Sequence, residues 1–304
     1  MASVQSEELK SLYSNWVKLM TDRPDMSVDD LRRIFAHWGD VTAEPGTVDY
    51  IEVSAGGVPA MWVIPKGCVH DRVLLCSHGG GYVVGSIYSH RKMFAHIAKA
   101  VGCRALMVDY RLAPEYPHPG PVNDMATAYR WLLEQEGLTP QHIAFTGDSA
   151  GGALALTTIA AARDKGLPLP AATMPMSPWA GWDTSGKTYD TNKDKDALVS
   201  RATTDGLGSL FIGPEGDRNH PLANLLYTDY TGFPPIYIQV GDAETLLDDS
   251  LRVAERAKLA GVDVKIDVFP EMQHVFEFLA GTAPEADDAI ARMAKWVRPK
   301  LGLS

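Results

Sequence analysis

The sequence predicts an α/β fold with a mostly parallel, doubly wound sheet. Three observations carry this. From residue 47 onward, strand and helix patterns alternate. Gly147-Asp148-Ser149-Ala150-Gly151 fits G-x-S-x-G, between a short β-branched and aromatic stretch (142–146) and a run of helix formers reaching Arg163. The rhythm fails in two places, residues 1–45 and 179–232, which read as segments outside the sheet.

In chain order, Leu9, Leu12, Tyr13, Trp16, Val17 and Met20 recur at helical spacing. Ser27 is placed to cap a second helix, on which Val28, Leu31, Phe35 and Trp38 make an apolar stripe. Segments 47–53 and 60–64 read as an antiparallel pair at the sheet edge. Segments 73–77, 104–110, 142–147, 172–177, 236–240 and 264–269 read as central strands, which makes an eight-stranded sheet. Helices are expected near 88–101, 121–136, 150–165, 245–260 and 284–299. Residues 179–232, rich in Gly, Asp, Asn and Thr and opened by Trp179 and Trp182, read as an insertion after the sixth strand. The expected division is an N-terminal helical cap (1–45) and a catalytic domain (46–304) carrying that insertion.

At 304 residues the chain suits one large domain with a small cap. The net charge of −10 and the lack of a basic block argue against nucleic acid as a partner. The longest apolar helical run, 153–162, is too short to span a bilayer. Residues 1–8 lack a basic region followed by an apolar one, so no signal peptide is expected. Cys68, Cys76 and Cys103 have no metal-ligand spacing and read as free buried thiols. A cytoplasmic protein is the expectation. The 264–269 strand, if its edge is exposed, could pair in a homodimer.

A serine between glycines is by itself an ordinary turn. Strand, sharp turn and helix make it a nucleophile elbow, in which the turn lifts Ser149 clear of the sheet and the helix aims its N–H groups at developing negative charge. His78-Gly79-Gly80-Gly81-Tyr82 follows the apolar strand ending at Cys76. A tetrahedral oxyanion needs converging amide donors about 3 Å away, and a glycine run lets backbone approach. Gly80, Gly81 and Ala150 are the expected donors. No Gly-Lys-Ser/Thr and no G-x-G-x-x-G accompanies the loop, which argues against nucleotide binding. His78 reads as a structural hydrogen-bonder.

His274, the last of nine histidines, follows the final strand, where a triad base belongs in the order serine, acid, histidine. His220 lies in a polar loop and reads as solvated. The acid should follow the 236–240 strand, and there Asp242, Glu244, Asp248 and Asp249 compete. Arg111 reads as a structural fork with Glu115 or Asp124 as partner.

His78-Gly79-Gly80-Gly81, Asp109-Tyr110-Arg111-Leu112-Ala113-Pro114-Glu115, Gly147-Asp148-Ser149-Ala150-Gly151-Gly152 and the Glu244 and His274 loops together resemble the bacterial hormone-sensitive-lipase-like esterases, often called family IV. The resemblance runs from about residue 48 to the C-terminus. It implies an α/β-hydrolase fold, a helical cap that includes the N-terminal helices, and carboxylester hydrolysis without metal or cofactor. It selects Glu244 as the acid, although many members have Asp-Pro-Leu where this chain has Glu244-Thr245-Leu246. It also implies that some of Tyr13, Trp16, Met20, Phe35 and Trp38 line the substrate entrance. Trp16, Met20 and Trp38, together with Tyr82 of the glycine loop, are the expected substrate contacts.

The function expected is hydrolysis of short to medium acyl esters by Ser149, His274 and Glu244. A lactone hydrolase with the same mechanism is the nearest alternative. A non-catalytic small-molecule binder on the same fold is the distant one, disfavoured because His274 is present. A dehalogenase or epoxide hydrolase would need aspartate where Ser149 stands. A peptidase would need a larger gating domain.

Overall fold

The computed structural model describes residues 2–304. Two helices come first, α1 (Ser6–Asp22) and α2 (Val28–Phe35). Ser27 closes a capping box on α2: its hydroxyl accepts the Asp30 amide at 3.2 Å, and Asp30 Oδ2 accepts the Ser27 amide at 3.0 Å. The expected stripe on this helix is shorter than its pattern. Helix α2 ends at Phe35, and Trp38 opens a separate 3₁₀ turn, Trp38–Val41. Gly39 in that turn lies against the helix Ile87–Val101, where a Cβ would come within 2.6 Å of the Ser89 carbonyl oxygen. The tight turn lets Trp38 stack on Phe278, ring centroids 5.1 Å apart.

The sheet is built from β1 (Val48–Ala55), β2 (Val58–Pro65), β3 (Val69–Ser77), β4 (Cys103–Val108), β5 (Ile143–Asp148), β6 (Ala172–Met176), β7 (Ile236–Gly241) and β8 (Val264–Phe269). The order is β1-β2-β4-β3-β5-β6-β7-β8. Strand β2 is antiparallel to β1 and β4, and every other pair is parallel. Strand β3 starts earlier than its apolar stretch because Val69 pairs with Cys103 before a register shift to Val73.

Connecting helices are α3 (Ile87–Val101), α4 (Gly120–Glu134), α5 (Ala150–Asp164), α8 (Leu247–Leu259) and α9 (Pro284–Val297). Between β6 and β7 the chain forms α6 (Thr188–Thr191), α7 (Arg201–Ile212) and turns. Helix α5 is buried from Ala150 to Ala162. Its Gly and Ala residues let it lie close to the sheet: a Cβ at Gly151 would stand 2.1 Å from the Ser77 carbonyl oxygen.

Parallel strands bring their C-terminal ends to one edge, which is where open α/β sheets hold ligands. The loops after β3, β5, β6, β7 and β8 gather there, with Ser149 after the central strand β5.

Candidate active site

Ser149 has φ 54° and ψ −122°, a conformation that a non-glycine residue adopts only when its surroundings impose it. They do so here by close approach: a Cβ on Gly147 would meet the Gly151 carbonyl oxygen at 2.4 Å. The Ser149 amide donates to the Met176 carbonyl at 2.8 Å, and its own carbonyl accepts from the amides of Ala153 and Trp179 at 3.0 and 3.1 Å.

His274 Nδ1 and Glu244 Oε2 are 2.7 Å apart, both side chains buried. Glu244 Oε1 accepts from Ser177 Oγ and from the Gly241 amide, each at 2.6 Å. The other carboxylates of this loop are engaged elsewhere. Asp242 Oδ1 accepts the Glu271 amide at 2.6 Å, tying the acid loop to the histidine loop. Asp248 Oδ2 accepts the Lys187 amide, and Asp249 Oδ2 accepts the Ala180 amide at 3.0 Å, so both anchor the segment after β6.

Burial raises the Glu244 pKa above the ordinary range, against the opposing pull of His274, Ser177 and the Gly241 amide. For His274 burial acts downward, but the Glu244 carboxylate, with Asp196 and Asp148 behind it, outweighs burial and holds the imidazole above its ordinary value. Glu277, buried three residues after His274, is pushed up to about 8 by burial. Burial thus favours its neutral form beside the pair.

The glycine loop is held against the elbow. The Gly79 amide donates to Asp148 Oδ1 at 3.1 Å, and a Cβ on Gly79 would overlap Asp148 Oδ2 at 2.2 Å. Gly80 (φ 111°) and Gly81 (φ 60°) take left-handed conformations. The Gly80 carbonyl accepts from the Val83 and Val84 amides at 3.1 and 2.9 Å, and a Cβ on Gly81 would meet Leu207 of α7 at 2.5 Å. His78 is buried, stacked on Tyr110 with centroids 4.3 Å apart, and bonded through Nδ1 to the Gly79 carbonyl at 2.8 Å. Burial drives its pKa down to about 3, so it stays neutral as a structural group.

Ser149, His274, Gly80 and Gly81 share the wall of one cavity of about 330 Å³. Ala150, fully buried, is the first residue of α5 beside Ser149. The rest of the wall is largely apolar. Met20 comes from α1, Leu31 and Phe35 from α2, and Leu207 and Leu210 from α7. Trp38 also lines the cavity.

Two expected substrate-contacting residues lie outside that wall. Trp16 sits behind it, 4.9 Å from the Phe35 ring and 5.9 Å from Trp38. The apolar stripe of α1 marks the inward face, and Trp16 is the part of that face covered by α2. Tyr82 has φ 63° and stacks on Phe211 at 3.7 Å instead of facing the cavity. His220 is not simply solvated either: its Nδ1 stands 3.1 Å from His118 Nε2. Arg111 forks onto Asp124, with Nε and Nη2 within 2.7–3.1 Å of its oxygens, and Glu115 is left to another arginine.

Sequence reasoning missed Ser177, Asp148 and the α7 wall, and it offered Tyr13 for the substrate entrance, whereas its hydroxyl is spent on the His274 carbonyl. For α7 a signal was present, because Thr203, Leu207 and Leu210 recur at one helical face. For Ser177 there was none, since a serine after a strand looks like any turn.

Among the described residues no three His, Cys, Asp or Glu side chains gather as a metal-ligand set, and no helix is long and apolar enough to cross a membrane.

A family profile described as an alpha/beta hydrolase fold matches residues 74–278. An acetyl-hydrolase of Streptomyces hygroscopicus is 38% identical over 265 residues, covering 87% of this chain and 86% of the relative. The crystal structure of an esterase from the bacterial hormone-sensitive lipase family superposes with TM-score 0.94 at 39% identity, covering 99% of this chain and 100% of that one. The structure of EstE5 soaked with p-nitrophenyl butyrate gives TM-score 0.91 at 35% identity, with coverage of 99% and 100%. The chain belongs to the α/β-hydrolase family, in its bacterial hormone-sensitive-lipase-like branch, and is a carboxylesterase.

Proposed function

We propose that this esterase cleaves short to medium acyl esters through Ser149, His274 and Glu244. The observation that carries the reading is the 2.7 Å contact of Glu244 Oε2 with His274 Nδ1, in a cavity that both His274 and the strained Ser149 line.

With Nδ1–H donated to Glu244, the neutral imidazole keeps Nε2 free to take the proton of Ser149 Oγ as it attacks the ester carbonyl. The amides of Gly80, Gly81 and Ala150 receive the oxyanion. His274 Nε2 returns the proton to the leaving alcohol as the C–O bond breaks, which leaves an acyl-serine. Water, deprotonated by the same nitrogen, adds to that acyl group. Collapse of the second tetrahedral intermediate releases the acid and restores the Ser149 hydroxyl. A lactone would follow the same path with the alcohol still tethered.

The acyl-size range rests on the apolar wall and the cavity volume of about 330 Å³. The acetyl-hydrolase name of one relative and the butyrate ester soaked into another agree with it. Residues 1–45 and about 179–232 serve as the cap, since Met20, Leu31, Phe35 and Leu207 from these segments close the cavity over Ser149. Cys68, Cys76 and Cys103 are free, which suits a reducing cytoplasm. Among the described residues, the outer edge of β8 pairs with no other strand, and it could receive a second copy. A panel of nitrophenyl esters from acetate to dodecanoate, with γ- and δ-lactones alongside, tests the substrate class. Fastest turnover of dodecanoate, or of lactones over every ester, would overturn it.

A further inference from the structure

Glu115 closes the Asp109–Glu115 motif, yet the chemistry above leaves it without a role. Its partner is Arg32 of α2. Arg32 Nη1 donates to Glu115 Oε1 at 2.8 Å and Nη2 to Oε2 at 2.6 Å, a two-pronged fork. The same guanidinium donates from Nε to the Val83 carbonyl at 2.9 Å and from Nη2 to the Ala113 carbonyl at 3.0 Å. One side chain thus grips three points of the catalytic body.

Those points are connected. Val83 belongs to the glycine-loop turn, where its amide donates to Gly80. The Ala113 amide donates to the Tyr82 carbonyl at 2.9 Å, joining the Glu115 loop to the same turn. On the other side of Arg32, its neighbour Leu31 and Phe35 one turn on line the cavity. Among the described residues, the other side-chain hydrogen bonds of α2 are local, Asp30 with Ser27 and with Arg33. Packing of Phe35 on Trp16 and Trp38 fixes the inner end of the helix. Arg32 fixes its register against the glycine loop.

We infer that Arg32 is a positioning residue that sets the distance between the α2 wall of the cavity and the glycine loop, and thereby the length of acyl chain the site accepts. An ion pair with a carboxylate half in solvent contributes little alone. The guanidinium geometry makes the anchor, because the planar fork meets the carboxylate and both carbonyls at once. A lysine ammonium has no such fork. The glycine loop keeps its own bonds to Asp148 and within the turn, so losing Arg32 frees the wall and leaves the loop in place. On this inference the position of the wall matters to a hexanoyl group and not to an acetyl group. The inference rests on Ser149 being the nucleophile.

The test compares p-nitrophenyl acetate and hexanoate on wild type, R32Q, R32K and E115Q, with thermal melts of each. The loss of one charge-assisted contact set predicts a KM for hexanoate roughly tenfold higher in R32Q, with kcat on acetate within about twofold. R32K should resemble R32Q, since its charge is retained and the fork is not. E115Q, which keeps both carbonyl contacts, should shift the hexanoate-to-acetate KM ratio less than R32Q. An unchanged ratio in R32Q and R32K, a full rescue by R32K, an equal loss on both esters, or a larger shift in E115Q than in R32Q each overturns the inference. If R32Q does not fold, R32K and E115Q decide it. Activity surviving in S149A would instead remove the nucleophile assignment, a separate failure.

Discussion

Tyr13 Oη donates a hydrogen bond to the carbonyl oxygen of His274 at 3.0 Å and accepts one from Trp38 Nε1 at 2.9 Å. A helix near the N-terminus is therefore bonded to the backbone of the proposed catalytic base, 261 residues away in sequence. The tyrosine is fully buried, and burial raises its pKa well above the ordinary value, so it remains a donor. Tyr13→Phe leaves the buried Trp38 N–H and the His274 carbonyl without their partner, at a cost of about 1–3 kcal/mol. A lower melting temperature with kcat reduced by less than ~10-fold is expected, because the imidazole keeps Glu244. Unchanged stability would show that water replaces the hydroxyl.

Ser149→Ala should lower kcat by at least ~10³-fold with an unchanged circular dichroism spectrum. Alanine must adopt the same φ of 54°, and the surrounding glycine contacts still impose it. A fluorophosphonate should label Ser149 and no other residue, as read by peptide mass spectrometry.

The pH profile follows from the sign of the His274 shift. Catalysis needs the neutral imidazole, so kcat/KM falls as pH drops through the pKa of the free enzyme. Burial lowers that pKa, but the Glu244 carboxylate raises it more, and the net value lies above the ordinary 6.5. Half-maximal kcat/KM on the acid side should accordingly lie above pH 6.5. In Glu244→Gln the raising charge is gone while burial stays. The residual activity should then persist to lower pH than in wild type, in rate profiles at constant ionic strength. A shift in the opposite direction would contradict the electrostatic account.

Much of this arrangement was readable because the relevant signals are local. Alternating strand and helix patterns, and glycines at points where a Cβ would overlap backbone, mark the sheet and the elbow without knowledge of tertiary contacts. Depth is not local. Trp16 and Phe35 both lie on apolar stripes, yet only Phe35 reaches the cavity, because α2 packs over α1 at that point. Tyr82 follows the glycine run directly, but a positive φ turns it onto Phe211. Glu115 and Asp124 were equal candidates for Arg111 until α2 brought in Arg32, a competitor from 83 residues away. Loop carboxylates are the extreme case, since positions two residues apart in a loop have no fixed relative direction.

The acid is therefore the assignment that mutagenesis tests most sharply. Glu244 faces His274 Nδ1 with Oε2 and uses Oε1 to accept from Ser177 and Gly241, whereas Asp242 binds the Glu271 amide. Glu244→Gln replaces an acceptor-only carboxylate with an amide whose NH₂ end cannot accept the imidazole proton. If the amide oxygen turns to His274, its nitrogen faces the Gly241 amide, donor against donor. Loss of the true acid in a serine triad can lower kcat by about 10⁴-fold, and that order is expected here with the fold intact. Glu244→Asp should be intermediate, because the carboxylate is kept but falls about one bond short. Asp242→Asn retains an acceptor oxygen for the Glu271 amide and should keep most activity. Ser177→Ala removes one of the two Oε1 donors and leaves Oε2 on the imidazole. Its expected cost is a fall in kcat of about tenfold, the size of one lost hydrogen bond to a charged group. Measured side by side, the order of severity should be Glu244→Gln, then Glu244→Asp and Ser177→Ala, then Asp242→Asn. Severe loss in Asp242→Asn with a mild effect in Glu244→Gln would transfer the role to Asp242 and leave the serine and histidine assignments standing.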